Sequence, residues 1–164
     1  METRTAFGRD LIAGQWAAAE FHVLSQLWSL GAAVPYPVQL LGTELMMEFI
    51  GTTDGIAAPR LAQTRPERPM AAHLFSQMTV VLLQLAEAGY AHGDLSAYNV
   101  LVDGDRLVLI DLPQAVDLVG NPQGFDYLRR DCDNICSWFG LRGVPNADPL
   151  ELYHRLIRTV PGLA

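Results

Sequence analysis

The chain opens with a helical pattern of apolar residues. Between Asp10 and Leu30 the apolar side chains recur every three or four positions, which predicts a helix with one buried face. Gly31 follows and is typical of the residue after a helix C-terminus. The positions that we expect on the buried face are Trp16, Ala19, Val23, Leu27 and Leu30.

Two short apolar runs after this helix predict a β-hairpin. Val38–Leu41 and Leu45–Ile50 flank Gly42 and Thr43, an arrangement typical of two strands joined by a tight turn. From Gly51 to Pro69 the periodicity is lost, and Gly, Pro, Thr and Arg dominate. We interpret that stretch as a loop that connects two parts of one fold.

The remaining pattern is mainly helical. Three stretches have the apolar content and length of helices, and a second pair of β-type runs encloses the turn Asp103-Gly104-Asp105. With 164 residues, half of them apolar, the chain is long enough for one compact domain. The predicted elements are helices at 70–88, 124–139 and 149–159 and strands at 100–102 and 107–110.

Composition narrows the classes of partner. The formal net charge is −7, and all eleven basic residues are scattered arginines, so we expect no direct contact with nucleic acid. The segment Met1–Asp10 has mixed charge and no apolar core of a signal sequence, and the most apolar run, Met78–Leu85, is too short to span a bilayer. We therefore expect a cytoplasmic protein without a membrane partner.

Two cysteines, Cys132 and Cys136, lie four residues apart in a predicted helix. This spacing puts two side chains on one helix face, but the pattern supplies no histidine or further cysteine to complete a metal site. We expect both to be reduced residues of the helix.

The strongest chemical signal lies in the loop His92–Asn99 and just after the second hairpin. Asp94 and Asn99 are five residues apart in this loop, and Asp111 stands at the end of a predicted strand. Phosphoryl transfer needs a carboxylate that orients the attacking hydroxyl and oxygen ligands that hold Mg²⁺ against the phosphates. Mg²⁺ prefers such oxygen ligands and takes one or two from the protein. The set therefore predicts a phosphoryl-transfer site for ATP and Mg²⁺.

Each of these residues also has an ordinary structural role as an alternative. Asp94 can cap a turn, Asn99 can bond its own backbone, and Asp111 can end a strand, as Asp and Asn often do. Only the full set of three residues at this spacing favours a phosphoryl-transfer site. For His92 we expect a structural role, in which the ring hydrogen-bonds the loop backbone, rather than the role of a general base.

These residues resemble the RIO family of atypical serine/threonine kinases and ATPases. The catalytic loop of that family reads HGDLSxYN and is matched by residues 92–99, and its metal-binding ID pair is matched by Ile110-Asp111. Three flanking segments are similar to the interlobe hinge of the family, the segment after it and the RDxxN helix. They stand at Met47–Gly51, Ala58–Leu61 and Leu128–Ile135.

The resemblance implies an α/β protein-kinase-like fold with a reduced N-terminal lobe and a mostly helical C-terminal lobe. The chain, residues 1–164, is then expected to form one partial kinase domain. In this division residues 1–50 are the remnant of the N-terminal lobe with the hinge, and residues 51–164 are the catalytic lobe.

The resemblance also implies a reaction and roles for six residues. The expected cofactors are ATP and Mg²⁺, and the expected phosphoacceptor is a serine or threonine of an unknown protein, with ATP hydrolysis as a second possible reaction. The implied roles are Asp94 as catalytic residue, Asn99 and Asp111 as Mg²⁺ ligands, the backbone of Glu48 and Ile50 as adenine contacts, and Glu20 as partner of the ATP-contacting lysine.

The chain departs from the family pattern before Glu20. Family members carry a glycine-rich loop and a lysine strand there, whereas only nineteen residues precede Glu20 and the chain contains no lysine. We expect a gene fragment, the product of a misplaced start codon, or a noncatalytic kinase-like module that binds nucleotide or acts as a scaffold. A further alternative is the aminoglycoside-phosphotransferase-like group, which usually has His-Pro-Gly where this chain has Ser96-Ala97-Tyr98.

Overall fold

A computed structural model describes the backbone of residues 6–162 and the side chains of residues 12–162. Long helices and short two-stranded sheets make up this part of the chain, which confirms the predicted α/β class. The elements in chain order are α1 (Ala6–Ser29), β1 (Pro37–Leu41), β2 (Glu44–Met47), a 3-10 helix (Leu61–Gln63), α2 (Arg68–Glu87), β3 (Tyr90–Ala91), β4 (Val100–Asp103), β5 (Arg106–Leu109), β6 (Val116–Asp117), α3 (Gly124–Gly140) and α4 (Pro149–Ile157).

The strands of the described residues form three antiparallel pairs. The two predicted hairpins are β1 with β2 and β4 with β5, and the tight turns lie at Gly42 and Gly104 as expected. The third pair, β3 with β6, joins two strands of two residues each. Strands this short have no alternating pattern, so the sequence did not predict them.

The first helix is confirmed, but its predicted buried face is only partly right. Val23 and Leu27 are buried as expected. Ala19 is exposed, and Trp16 and Leu30 are 65% and 42% exposed. The reason is that α1 packs against a hairpin of only two strands, which leaves these positions uncovered. The side chains of α1 that are buried are Ala17, Val23, Leu24 and Leu27.

The second helix is the centre of the part of the chain after residue 60. It contacts α3, α4, β3 and β5, and its buried side chains include Leu74, Met78 and Leu85. By length and mean hydropathy, 1.2, α2 also meets the criteria for a membrane span, yet half of its apolar window is buried inside the protein. Burial at this depth is what a core helix requires, and the packing of α2 accounts for its apolar character.

The two cysteines lie on the inner face of α3. Cys132 and Cys136 are 0% and 1% exposed and are not joined in a disulfide, as expected. Burial raises the pKa of each thiol to about 12. The thiolate is the reactive form, so burial disfavours reaction both by raising the pKa and by blocking access.

We therefore expect neither thiol to react with a thiol reagent at pH 8 while the protein is folded. Mass spectrometry after timed alkylation with iodoacetamide measures the labelling, and both sites should react once denaturant unfolds the chain. Rapid labelling of either cysteine in the folded protein would contradict the packing of α3.

Candidate active site

The loop that carries Asp94 is held by α3 through one buried carboxylate. Asp131, which is 1% exposed, accepts hydrogen bonds from the backbone N–H groups of Gly93 at 2.8 Å and Leu95 at 2.9 Å. These two N–H groups flank Asp94 in the chain. A single side chain thus fixes the backbone on both sides of the predicted catalytic residue.

Burial dominates the electrostatics of Asp131. Loss of hydration raises the pKa of this carboxyl, while the two backbone hydrogen bonds and the nearby charges of His92 and Arg130 act in the opposite direction. The carboxylate is held inside the protein by these donors, because a buried charge needs hydrogen-bond partners.

Two further side chains of α3 bind carbonyl groups of the same loop. Arg130 donates to the carbonyl of Gly93, and Asn134 Nδ2 donates to the carbonyl of Leu95 at 3.1 Å. Together with Asp131 they pair the donors and acceptors of the loop on either side of Asp94. The RDxxN segment, residues 130–134, therefore holds the loop in place through hydrogen bonds.

Asp94 is exposed, and the residues on either side of it in the loop are buried. Gly93 and Leu95 on either side of it are buried, and so is Ala97. Because its flanking backbone is tied to α3, the carboxylate projects from a rigid loop. This placement leaves Asp94 accessible to a substrate hydroxyl.

Asn99 and Asp111 are in direct contact. Asn99 Nδ2 lies 3.0 Å from Asp111 Oδ2, and Asn99 Oδ1 accepts a hydrogen bond from Ser96 Oγ at 2.8 Å. The backbones are also joined, since the N–H of Ile110 donates to the carbonyl of Asn99 at 2.9 Å. The two predicted metal ligands, twelve residues apart in sequence, therefore share one place in the structure.

The backbone of Asp111 adopts an uncommon conformation. Its φ is 66°, and it is the one residue other than glycine with positive φ among those described. Such a conformation costs free energy and is most often found for Asp, Asn and Gly. His92, 1% exposed, lies beside it, and its Nε2 is 3.1 Å from the carbonyl of Ile110. The ring thus has a structural contact, but with the backbone just before Asp111 and not with the loop 92–99 as predicted.

The donor set fits Mg²⁺. Carboxylate and amide oxygens are the ligand type that Mg²⁺ prefers, and here the Asn99 and Asp111 side chains meet in a hydrogen bond of 3.0 Å from Nδ2 to Oδ2. Rotation of the Asn99 amide by half a turn would present its oxygen to the same space, and Ser96 would then accept from its nitrogen. No group of three His, Cys, Asp or Glu side chains suited to a metal is found among the described residues, and Mg²⁺ does not need one.

Glu20 lies next to the same site. Burial raises the pKa of this carboxyl, the negative charge of Asp111 raises it further, and a hydrogen bond from the backbone of Leu112 lowers it. Among the described side chains, neither of the two salt bridges involves Glu20. The helix α1 therefore brings Glu20 close to Asp111 and Leu112.

Glu48 and Ile50 lie in the segment between β2 and the loop that follows. The N–H of Glu48 is bonded to the carbonyl of Tyr36 and the carbonyl of Ile50 accepts from Ala58. The carbonyl of Glu48 and the N–H of Ile50 have no partner among the bonds of the described residues. One free acceptor and one free donor two residues apart are the groups that an adenine edge needs.

A small apolar cluster lies beside this segment. It consists of Ile50, Ala58 and Val108, with Leu101 and Ile110 packed against it. Ile110 immediately precedes Asp111, so the cluster joins the hinge segment to the predicted metal site. Apolar side chains next to free backbone groups are typical of a site for a planar base.

The sequence did not reveal every residue that shapes the site. Asp131 was recognised as part of a motif but not as the anchor of the loop, although a carboxylate between the apolar positions Leu128 and Cys132 is a signal for a buried role. Arg60 was also missed. Its Nη1 donates to the carbonyl of Tyr98 at 2.9 Å and so ties the segment after the hinge to the catalytic loop.

Comparison with known proteins agrees with this arrangement. A model of the RIO domain matches residues 2–152. The RIO-type serine/threonine-protein kinase Rio1 of Haloferax volcanii is 38% identical over 138 residues, which cover 84% of this chain and 46% of that protein. The serine/threonine-protein kinase RIO1 of Caenorhabditis elegans is 32% identical over 143 residues, covering 87% of this chain and 28% of that protein.

A solved structure shows the same fold. The crystal structure of the Rio2 kinase from Chaetomium thermophilum superimposes with a TM-score of 0.76 at 22% identity, over 99% of this chain and 52% of that one. The chain spans less than half the length of the two curated relatives. The match of the RIO domain over most of its residues and the identity to RIO-type kinases show that this chain belongs to the RIO domain family.

Proposed function

We propose that this chain carries the catalytic and metal-binding half of a site that transfers a phosphoryl group from Mg-ATP to a serine or threonine of a protein. The observation that carries the proposal is the contact between Asn99 and Asp111 at 3.0 Å, next to the clamped loop that exposes Asp94. The names of the relatives, which are serine/threonine-protein kinases, support the same reaction.

The described residues divide the work of the reaction. The Asp94 carboxylate accepts a hydrogen bond from the attacking hydroxyl and takes its proton as the hydroxyl oxygen bonds to the γ-phosphorus and the bond from that phosphorus to the departing ADP breaks. Asn99 and Asp111 hold Mg²⁺, which when bound neutralises charge on the phosphates. The free carbonyl of Glu48 and the N–H of Ile50 position the adenine. Positioning and charge stabilisation supply most of the rate in this kind of reaction.

One observation favours a second function, a nucleotide-binding module without catalysis. The chain has no lysine, and Glu20 lies beside Asp111 with no cation bonded to it among the described side chains. Lysine near the phosphates contributes charge stabilisation that an arginine does not reproduce, because the guanidinium is a larger planar group. We therefore expect slow turnover of ATP by this chain. The rate of turnover, and not nucleotide affinity alone, distinguishes the two functions.

Nucleotide binding should depend on Mg²⁺. Calorimetric titration with ATP should give tighter binding in the presence of Mg²⁺ than in EDTA, and Asp111→Asn should remove most of that difference, because the substitution removes a charged metal ligand. Asp105→Asn, at an exposed turn of the second hairpin, makes the same chemical change away from the site and should behave as the unmodified chain. Equal affinity with and without Mg²⁺ would exclude Asn99 and Asp111 as metal ligands.

Phosphoryl transfer should depend on Asp94. Release of phosphate from radiolabelled ATP by the chain should fall by about 10²- to 10³-fold in Asp94→Ala, the loss expected when a general base is removed. The variant should bind Mg-ATP as the unmodified chain does. Turnover that is absent from both proteins while binding persists would favour the noncatalytic module.

A further inference from the structure

Three arginines from separate segments lie close together beyond the C-terminal end of α3. Arg142 follows this helix, and the Arg68 side chain at the start of α2 runs alongside Gly143, with its Cδ 3.7 Å from the position that a Cβ would take. Arg65, in the loop before α2, is near enough for its charge to act on Arg142. We call Arg65, Arg68 and Arg142 the arginine cluster.

Arg142 is held in a fixed position. Its Nη1 donates a hydrogen bond to the carbonyl of Trp138 at 3.0 Å, and its guanidinium carbon is 3.4 Å from the centre of the Trp138 ring. Stacking on an aromatic ring and a backbone hydrogen bond restrict a side chain that is otherwise flexible. The remaining N–H groups of this guanidinium are thus presented in one orientation.

The cluster holds three arginines and one neighbouring carboxylate, that of the exposed Glu67, which lies between Arg65 and Arg68 in the chain. The two salt bridges among the described side chains are Arg106 with Asp103 and Arg129 with Asp133, so none of the three arginines takes part in one. Burial and the charge of Arg65 both lower the pKa of Arg142. A local excess of positive charge in a chain of net charge −7 is a feature that favours an anionic partner.

An exposed apolar side chain lies next to the cluster in the chain. Leu141 precedes Arg142 in the chain and is 87% exposed, more than any other large apolar residue described. Arg68 and Arg65 are exposed as well. Positive charge next to an exposed leucine is suited to a ligand that combines carboxylates with an apolar side chain.

We propose that the arginine cluster and Leu141 form a docking surface for an acidic segment of a partner protein. Carboxylates of the segment pair with the guanidinium groups, since arginine binds carboxylate through two parallel hydrogen bonds, and an apolar side chain of the segment covers Leu141. A nucleic acid fits less well, because its sugar-phosphate backbone would leave Leu141 uncovered.

The proposal is tested with a fluorescent peptide of alternating Glu and Leu residues, whose binding to the full chain is followed by fluorescence anisotropy. We expect saturable binding that becomes about tenfold weaker in the double variant Arg65→Gln, Arg68→Gln, the change expected for two exposed charge pairs. Leu141→Ser should also weaken binding. Both arginines are exposed, so circular dichroism should show that the variant folds normally.

Three controls decide between this surface and general electrostatics. Arg155→Gln removes one exposed charge on α4 and should leave the affinity unchanged. A peptide with Gln in place of Glu should not bind. The proposal would be overturned if the acidic peptide did not bind, if the double variant bound it as tightly as the unmodified chain, or if Arg155→Gln weakened binding equally. It would also be overturned if a single-stranded RNA bound more tightly than the peptide and depended on the same arginines.

Discussion

Replacement of Asp131 by alanine should lower the free energy of unfolding by about 3–5 kcal/mol, as expected when a buried, hydrogen-bonded charge is removed and its partners are left unpaired. The carboxylate is the acceptor for the N–H groups of Gly93 and Leu95, which no other group can reach in its place. Alanine at position 131 also removes the negative charge near Arg130 and opens a cavity between α3 and the loop. Urea unfolding monitored by circular dichroism measures the change.

Two substitutions make this expectation specific. Asp133→Ala, two residues further along α3, removes a carboxylate whose contact with Arg129 is half-exposed, and it should change stability by about 0.5 kcal/mol or less. Asp131→Asn keeps one acceptor oxygen and should fall between the two. If Asp131→Ala proved as stable as Asp133→Ala, the loop would have to be held by contacts other than this carboxylate.

Substitution of Asp131 also distinguishes the effect of holding Asp94 in position from the effect of the Asp94 carboxylate itself. Asp131 does not contact the reacting atoms, so its loss should reduce turnover by disordering the loop rather than by removing a proton acceptor. Added osmolyte, which stabilises the folded state, should then recover part of the activity of Asp131→Asn but none of that of Asp94→Ala.

Local patterns predicted most of the elements and the position of the site. The helices and hairpins were predicted from apolar spacing, and the string from His92 to Asn99 with Asp111 indicated phosphoryl-transfer chemistry, because kinases use these residue types in this order. The contact between Asn99 and Asp111 follows from the hairpin, which returns the chain to the same edge after eight residues of strand. Such information is local in sequence and can be read without the fold.

What the sequence left out depends on contacts between distant segments. The bonds from Asp131 to the catalytic loop join residues 36 and 38 positions apart, and no pattern in either segment specifies the other. The exposure of Trp16 and Leu30 could not be predicted either, since a helical pattern shows which side chains are apolar but not how far the partner sheet extends. The arginine cluster likewise draws its members from three segments.

Replacement of Gly93 by alanine should destabilise the protein by about 3–4 kcal/mol, the sum of backbone strain and overpacking. The φ of Gly93 is 86°, a conformation that an L side chain rarely adopts. An added Cβ would also lie 2.5 Å from the carbonyl oxygen of Gln114 and 2.9 Å from Cγ2 of Val116. Because the obstacle is backbone, relief requires a shift of the loop that carries Asp94.

Gly104→Ala is the matched control for this loop. Gly104 also has positive φ, 65°, but a Cβ there would meet no atom within 4 Å, so its replacement should cost only the backbone strain of about 1–2 kcal/mol. The difference between the two variants in urea unfolding therefore measures the close approach of Gly93 to Gln114. Equal destabilisation by both substitutions would mean that the segment after Asp111 can move away, and the catalytic loop would then be less rigidly packed than its contacts with α3 require.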